Sequence, residues 1–343
     1  MKIAVDCMGA DRGEGILVEG ALRYLTKNGA KEVEIVLVGD EALLRGHLDR
    51  LIMKYKLKKI PLSVQHAPEV VEMGAAATEG IRRKDSSIAV AMRMQKEGKV
   101  NAVVSAGNTG AVMANAVLTL GRIPGVSRPA IASTFPNKLE GVSILLDSGA
   151  NVDVKPENLL QFAQMGASYA EGVLKRSNPR VGLLSIGEEK SKGNEVAIAS
   201  HALLSKGRFN FLGNVEGRDI LDGTVDVIVC DGFVGNILLK FAESMKTFLD
   251  TRIKKQVSSN LFSRTGAFLM GPFLRRIRST FDYAEYGGAP LLGIAGNCII
   301  AHGSSSARAI ANAIKVAAEM AASDVCGHIR ERIDNYQRAA VEQ

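Results

Sequence analysis

Hydrophobic and polar positions follow two alternating periods along most of the chain. Short apolar runs of strand length, such as residues 33–38, are followed by segments with helical i, i+3, i+4 spacing, such as residues 41–55. The alternation extends from a first strand expected at 3–6 to a last helix expected from 304 to about 325. Strands that alternate with helices of this length predict an α/β fold, a doubly wound and mainly parallel sheet with helices on both faces.

Length and composition place limits on the kind of protein. The chain has 343 residues, 46% of them hydrophobic, without an internal repeat or low-complexity linker, so we expect residues 1–343 to form a single two-lobed domain. No apolar run approaches 18 residues and the first strand begins at once, which predicts an intracellular protein that does not span a membrane. Four cysteines stand singly, which predicts neither a metal site nor a disulfide framework: Cys7, Cys230, Cys298 and Cys326.

The strongest chemical signal is the turn within residues 101–114. A β-branched strand ends there at a turn that Gly107 and Gly110 bracket, and an alanine-rich helical segment follows. The first backbone N–H groups of a helix have no partner inside the helix, so this junction is a candidate anion site. The alternative is an ordinary turn in which Gly107 supplies a special backbone angle and Asn108 caps the helix.

Three later strands end in similar turns, at 185–195, 231–236 and 302–306. Because the carboxyl ends of parallel strands share one edge of a sheet, where ligands of open α/β sheets bind, we expect the four turns to converge on a phosphate pocket. The candidate phosphate- or substrate-binding residues are those that these turns contribute: Ser105, Gly107, Thr109, Gly110, Gly193, Asn194, Asp231, Gly232, Asn236, Ser304 and Ser305.

The net charge of +7 resides in one segment, residues 251–281. This segment contains seven basic and no acidic residues, while the rest of the chain has equal numbers of each. Its apolar residues at helical spacing and its arginines toward the other side predict two short amphipathic helices, divided at 271–272, that contact a membrane surface or a second subunit. No nucleic-acid-binding motif accompanies these residues. The candidate contact residues are Met270, Phe273, Leu274, Ile277, Arg275, Arg276 and Arg278.

Taken together, the motifs resemble one family over nearly the whole chain. The sequence is similar to the bacterial acyl-acyl carrier protein:phosphate acyltransferases, the PlsX family. It departs from that family at Cys7 and Ala10, within a motif that usually reads Asp-Ala-Met-Gly-Gly-Asp, and at Gly74, where an aspartate is common. The resemblance rests on residues 6–11, 84–87, 105–110, 146–157, 192–195, 213–219, 231–236, 286–289 and 301–305.

The resemblance implies a function and a set of partners. A long-chain fatty acyl group would pass from acyl carrier protein to inorganic phosphate, without a cofactor, and the acyl phosphate would feed phospholipid (phosphatidic acid) synthesis. It also implies a homodimer with the fold of the phosphate acetyltransferases and of isocitrate and isopropylmalate dehydrogenases. The location would be cytoplasmic, with peripheral contact to the inner face of the cell membrane and delivery to a membrane glycerol-3-phosphate acyltransferase.

Three side chains are the candidate catalytic groups: His302, Asn108 and Lys192. Phosphate is already an anionic nucleophile and a thiolate leaves readily, so the reaction needs placement and charge stabilisation more than a strong base. Asn108 and Lys192 would hold phosphate, and His302 would serve the carbonyl oxygen or the departing sulfur. The alternatives are a capping or core histidine and a solvated loop lysine, and which group acts as acid or base stays open.

Three alternative functions remain open. Asp147 and Asp231 would hold Mg²⁺ in a dehydrogenase of the related fold, although no G-x-G-x-x-G fingerprint follows an early strand. In the acyltransferase the same two aspartates would orient other groups or cap turns. A short-chain phosphate acetyltransferase that uses coenzyme A and a non-enzymatic membrane-surface scaffold are the remaining alternatives.

Overall fold

A computed structural model describes residues 1–28, 32–57, 60–257, 261–271, 273 and 286–341. Its strands are β1 (Lys2–Asp6), β2 (Glu34–Gly39), β3 (Leu62–His66), β4 (Ala102–Ser105), β5 (Ala130–Pro136), β6 (Val142–Leu146), β7 (Arg180–Leu184), β8 (Asn210–Val215), β9 (Val227–Val229), β10 (Ala289–Leu292) and β11 (Cys298–Ile300). Its helices are α1 (Glu14–Asn28), α2 (Glu41–Tyr55), α3 (Ala77–Arg82), α4 (Ser87–Lys96), α5 (Thr109–Thr119), α6 (Pro156–Gly172), α7 (Glu195–Leu204), α8 (Asp219–Asp222), α9 (Gly232–Val257), α10 (Leu261–Leu269), α11 (Ala307–Ala322) and α12 (Val325–Val341).

The described strands form one sheet, in the order β3-β2-β1-β4-β11-β10-β5-β6-β9-β7-β8. Pairing is parallel from β3 to β11 and again from β6 to β8. Between these groups β10 is antiparallel to both of its neighbours, and β5 is antiparallel to β6. The prediction of a mainly parallel α/β sheet is therefore confirmed, whereas the prediction of a single two-lobed domain stays a prediction.

The antiparallel pairs reverse the direction of the second strand group relative to the first. The turns after β4 and β11 consequently leave one edge of the sheet, and the turns after β7 and β9 leave the opposite edge. The expectation that all four polar turns open at one edge was wrong, because it assumed that every strand runs the same way.

Both faces of the sheet are covered, as the alternation of side chains along each strand requires. In β1, Ile3 and Val5 join a core that contains side chains of α1, α6, α11 and α12. Ala4, between them, joins a second core with side chains of α4 and α5. A third cluster lies under α9, at the β6-β9-β7 part of the sheet. Among the described residues, no helix is both long and apolar enough to cross a membrane.

Two helical predictions need correction at the end of the chain. The helix expected at 304–325 is α11, but it is not the last, because α12 follows and packs Ile329 and Ile333 into the core beside α6. Residues 251–257 continue the long helix α9, and α10 follows as a short helix. Met270 and Phe273 are exposed, whereas Leu274, Arg275, Arg276, Ile277 and Arg278 lie outside the described residues.

Candidate active site

The end of β1 is joined to the end of β4 by a buried carboxylate. Asp6 pairs with Ser105 in register, and the Ser105 hydroxyl donates to Asp6 Oδ2 at 2.5 Å while it accepts from the Gly107 N–H at 3.2 Å. Both side chains are fully buried, and burial raises the pKa of Asp6 although bonds from Ser105, Ser87 and Met8 act in the opposite direction. Ser105 therefore reaches Asp6 rather than a ligand in this structure.

Three turns meet at this edge, after β1, β4 and β11. A side chain at Gly9, where φ is 75°, would lie 2.9 Å from the Val71 carbonyl oxygen and 3.9 Å from Gly107 Cα. The Asp11 N–H donates to the Gly303 carbonyl at 3.1 Å. The absence of a side chain at Gly9 thus allows the first turn to approach the Val71 carbonyl closely.

Both polar atoms of the Asn108 side-chain amide form hydrogen bonds within the protein. Its Nδ2 donates to the carbonyls of Met73 and Ala75 at 2.8 Å each, and its Oδ1 accepts from the Ala111 N–H at 2.9 Å. The predicted Asn108 cap is thereby confirmed, whereas the special backbone angle expected at Gly107 was wrong, because Gly107 does not adopt a positive φ. Contact with phosphate would require Asn108 to leave these partners, and its catalytic role stays a prediction.

Backbone donors remain at the start of α5. The N–H groups of Thr109 and Gly110 have no hydrogen-bond acceptor among the described residues, because Asn108 caps only the N–H of the third helical residue. The Thr109 side chain is exposed beside them. Two free amides and a hydroxyl at a helix N-terminus are suited to an anion.

His302 presents one ring nitrogen to solvent. Its Nδ1 accepts from the Ser304 backbone N–H at 3.1 Å and lies 2.8 Å from the Ser304 hydroxyl. Because a backbone N–H can only donate, Nδ1 is an acceptor, and the neutral ring carries its proton on Nε2. This Nε2–H has no acceptor among the described residues, and the residue is exposed. His302 is therefore not a core residue: its Nδ1 accepts a backbone N–H of its own turn, as a cap does, and its Nε2–H is available as a hydrogen-bond donor.

At the opposite edge, Asp147 organises the turn after β6. Its Oδ1 accepts from the N–H groups of Ile131 and Ala150 at 3.0 and 3.1 Å, and its Oδ2 accepts from the Asn151 N–H and side-chain amide at 2.6 and 2.9 Å. The side chain is fully buried, and burial raises its pKa. With both oxygens surrounded by N–H donors, Asp147 serves as a structural acceptor and is poorly suited to hold Mg²⁺.

Two glycines of α9 allow that helix to approach this turn. A Cβ at Gly235 would lie 1.9 Å from the Asp147 carbonyl oxygen, and one at Gly232 would lie 2.7 Å from the Asn151 carbonyl oxygen. Asp231 Oδ1 accepts from the Val234 N–H at 2.8 Å, as a cap does. Asn236 lies against Gly149. Gly232, predicted to bind substrate, is thus part of the packing of α9.

The Lys192 loop lies at the same edge. The Ser185 hydroxyl donates to the Lys192 carbonyl at 3.1 Å, and Asn194 Oδ1 caps α7 at the Ala197 N–H at 2.9 Å. Gly193 adopts φ 111°, a backbone angle that favours glycine. The Lys192 ammonium is exposed and has no acidic partner in the part of the chain that the structure describes, so it is available to an anion.

Two residues that support this loop were not identified from the sequence. His201, 7% exposed, places Nδ1 2.9 Å from Asn214 Oδ1, and Asn214 Nδ2 donates to the Glu189 carbonyl at 2.8 Å. The pair holds the loop that carries Lys192. Asn214 lies in the motif 213–219, which was a signal, whereas nothing in the sequence distinguishes His201 from an ordinary helical residue.

The turn after β6 lies at the same edge as the ends of β7 and β9. Ala150 packs against the core that α5 shares, while residues 152–154 line a cavity of about 450 Å³ together with Gly193, Asn194 and Asp231. A larger cavity, about 940 Å³, lies between α6 and α12, and none of the predicted site residues lines it. The described residues contain no cluster of three or more His, Cys, Asp or Glu side chains suited to a metal ion.

Comparison with known proteins supports this reading of the motifs. A family model described as "Fatty acid synthesis protein" matches residues 1–328. The phosphate acyltransferase of Pelotomaculum thermopropionicum is 47% identical over 338 residues, 98% of this chain and 96% of that protein. That of Syntrophotalea carbinolica is 48% identical over 318 residues, 92% and 89% of the two chains. The chain belongs to the phosphate acyltransferase family. The prediction of an acyltransferase enzyme is confirmed.

The solved structures that share this fold are less similar in sequence to this chain than the relatives above. The EutD phosphotransacetylase of Staphylococcus aureus is 17% identical, with a TM-score of 0.59 over 94% of both chains. A branched-chain phosphotransacylase from Enterococcus faecalis is 11% identical, with a TM-score of 0.56 over 94% of this phosphate acyltransferase family chain and 99% of the other. The predicted likeness to the phosphate acetyltransferase fold is confirmed, and at this identity the likeness concerns the fold alone.

Proposed function

We propose that the protein transfers a long-chain fatty acyl group from acyl carrier protein to inorganic phosphate and forms acyl phosphate for phospholipid synthesis. The observation that carries the proposal is the set of free hydrogen-bond donors at the edge of the sheet where β4 and β11 end. Free N–H groups of Thr109 and Gly110 follow one strand, and the free Nε2–H of His302 follows its neighbour. Anion binding and stabilisation of a carbonyl oxygen are the two requirements of this reaction.

The chemistry needs placement of two substrates. A phosphate oxygen attacks the thioester carbonyl carbon, a C–O bond forms, the C–S bond breaks, and the departing sulfur takes a proton. The Thr109 and Gly110 amides hold phosphate. His302 Nε2 donates to the carbonyl oxygen as it becomes negative, or its proton goes to the sulfur. Lys192 contributes positive charge to the substrate anions from the other edge.

Two alternative functions are less well supported. A short-chain phosphate acetyltransferase that uses coenzyme A shares the fold, but the cavity beside Asp231 is lined mainly by apolar side chains, which favours a long acyl group. A non-enzymatic membrane-surface scaffold would bind lipid without turnover. It would have no need for a donor such as His302 beside unpaired helix amides.

The deciding experiment is thiol release from palmitoyl-acyl carrier protein by the purified protein, with and without inorganic phosphate. We expect release that requires phosphate and an acyl product that reacts with hydroxylamine. Palmitoyl-coenzyme A and acetyl-coenzyme A serve as comparison donors, and faster turnover of the acetyl donor would favour the short-chain alternative. Absence of release with every donor would refute the transferase proposal.

An apolar stripe on α9 supports a homodimer. Ile237, Phe241, Met245 and Phe248 follow one another at three- and four-residue spacing and are 37–62% exposed. Together these side chains extend over roughly three turns of helix. Large exposed stripes of this kind are characteristic of interfaces, and the same stripe on a second copy is a complementary partner.

The end of α10 supports contact with a membrane. Phe268, Leu269, Met270 and Phe273 are 50–83% exposed, and the segment 251–281 is basic. Apolar side chains beside positive charge are suited to the surface of an anionic bilayer. On this proposal the protein is cytoplasmic, and it releases acyl phosphate at the inner membrane face to a glycerol-3-phosphate acyltransferase.

One pair of variants tests both surfaces. Phe241→Glu places a charge in the α9 stripe, and we expect light scattering to change from a dimer to a monomer mass. Phe268→Glu combined with Leu269→Glu is expected to abolish flotation with anionic vesicles and to leave the dimer intact. Met53→Glu, at a 72% exposed position of α2, controls for added charge. An unchanged mass would contradict the proposed dimer surface, and unchanged flotation would contradict the proposed membrane surface.

A further inference from the structure

A cavity of about 450 Å³ lies at the carboxyl ends of β7 and β9, and most of its lining is apolar. We propose that this cavity holds the acyl chain and that its walls set the chain-length preference of the enzyme. The inference rests on the proposed function, because it assigns a subsite to the acyl group of that reaction. It commits to a fatty acyl chain with its carbonyl end at the mouth.

The floor of the cavity is buried and apolar. Leu159, Leu183 and Cys230 line it and are 4%, 1% and 4% exposed, respectively. Burial raises the pKa of the Cys230 thiol well above its ordinary value, so this side chain stays neutral and presents an apolar surface. A methyl terminus fits such a floor better than any charged or hydrogen-bonding group does.

The polar residues of the cavity lie toward its mouth, beside exposed apolar side chains such as Val152 and Ile186. Ser185, Asn194 and Asp231 lie there, and α7 and α9 begin beside it at Glu195 and Gly232. The positive ends of two helices favour a carbonyl oxygen or a phosphate at this end. A site that is apolar at its buried end and has polar groups only toward solvent matches a fatty acyl ester. It does not match the nucleotide portion of coenzyme A, which is polar throughout.

The turn after β6 forms part of the cavity wall. Residues 152–154 of this turn line the cavity, and Ala150 packs against the core shared with α5, the helix that begins at Thr109.

A variant that fills the cavity is expected to shorten the preferred chain. Val234 lines the cavity on the first turn of α9 and is 37% exposed, so Val234→Phe adds volume with little risk to folding. Each methylene group of the acyl chain that no longer fits in the cavity is expected to lower kcat/KM about fourfold. Across saturated acyl-acyl carrier proteins from octanoyl to stearoyl, we expect the stearoyl to octanoyl ratio of kcat/KM to fall at least about tenfold.

The matched control is Ile198→Phe, which enlarges a 44% exposed side chain of α7 that does not line the cavity. We expect it to keep the wild-type chain-length profile. If Val234→Phe changes all chain lengths in parallel, or if Ile198→Phe changes the profile equally, the cavity does not hold the chain. Such a result would leave phosphate-dependent release itself intact, so it is distinct from failure of the proposed function.

Direct binding tests the subsite without catalysis. The chain contains no tryptophan, so Val152→Trp and Ile198→Trp each introduce a single fluorophore, the first at the cavity and the second outside it. Titration with 9,10-dibromostearate is expected to quench Val152→Trp saturably and to leave Ile198→Trp bright. Equal quenching of the two variants, or none in either, would overturn the proposal whatever the enzyme's activity.

Discussion

Replacement of His302 by alanine is expected to lower phosphate-dependent thiol release about 100- to 10,000-fold, the range for loss of a positioned acid, base or oxyanion donor. The side chain is exposed and bonds only to Ser304 within its own turn, so the fold does not depend on it. Steady-state kinetics with palmitoyl-acyl carrier protein would measure the effect. It should appear mainly in kcat, because the Nε2–H acts on charge that develops during the reaction.

Ser304→Ala is the matched control for this prediction. It removes the hydroxyl beside His302 Nδ1 but keeps the backbone N–H that fixes the ring at 3.1 Å. We therefore expect a loss of no more than about tenfold, since one neutral hydrogen bond contributes about 1 kcal/mol. Full turnover by His302→Ala, or equal losses in both variants, would remove His302 from the reaction.

Replacement of Asp147 by alanine is expected to lower the free energy of unfolding by about 3–5 kcal/mol. The substitution leaves the N–H groups of Ile131, Ala150 and Asn151 without an acceptor in the interior, and each such group costs about 1–3 kcal/mol. The loss is partly offset because the buried carboxylate is itself desolvated, as its raised pKa indicates. Urea denaturation followed by circular dichroism would measure it.

Two further variants bracket the Asp147 prediction. Asp147→Asn keeps the shape and one acceptor oxygen, so we expect about half of the loss. Asp153→Ala removes an exposed carboxylate of the same turn and should change stability by about 0.5 kcal/mol or less. If Asp147→Ala unfolds at the same urea concentration as Asp153→Ala, the buried acceptor does not stabilise the turn.

Strand direction shows where the sequence contained a signal that the parallel-sheet prediction overlooked. Only residues 137–141 connect β5 to β6, and this connection is too short for the crossover that a parallel pair requires. The short connection therefore indicates an antiparallel pair. Recognition of this would have placed the turns after β7 and β9 at the other edge.

Helix bounds and caps were determined by the sequence itself. The helix at 41–55 was predicted as it is observed, and Asn108 caps α5 where the local sequence placed a cap. Periodicity and caps act between residues a few positions apart, so a single sequence is sufficient to specify them.

Whether each candidate side chain is free or already hydrogen-bonded within the protein was decided only by the tertiary structure. Ser105 meets Asp6 from 99 positions away, and Asn108 bonds to carbonyls more than 30 positions earlier. A sequence shows that these residues stand at strand ends, but it does not show which of them find partners across the sheet. The reason is physical: a buried polar group must be paired, and packing of distant segments determines whether its partner is the protein or a ligand.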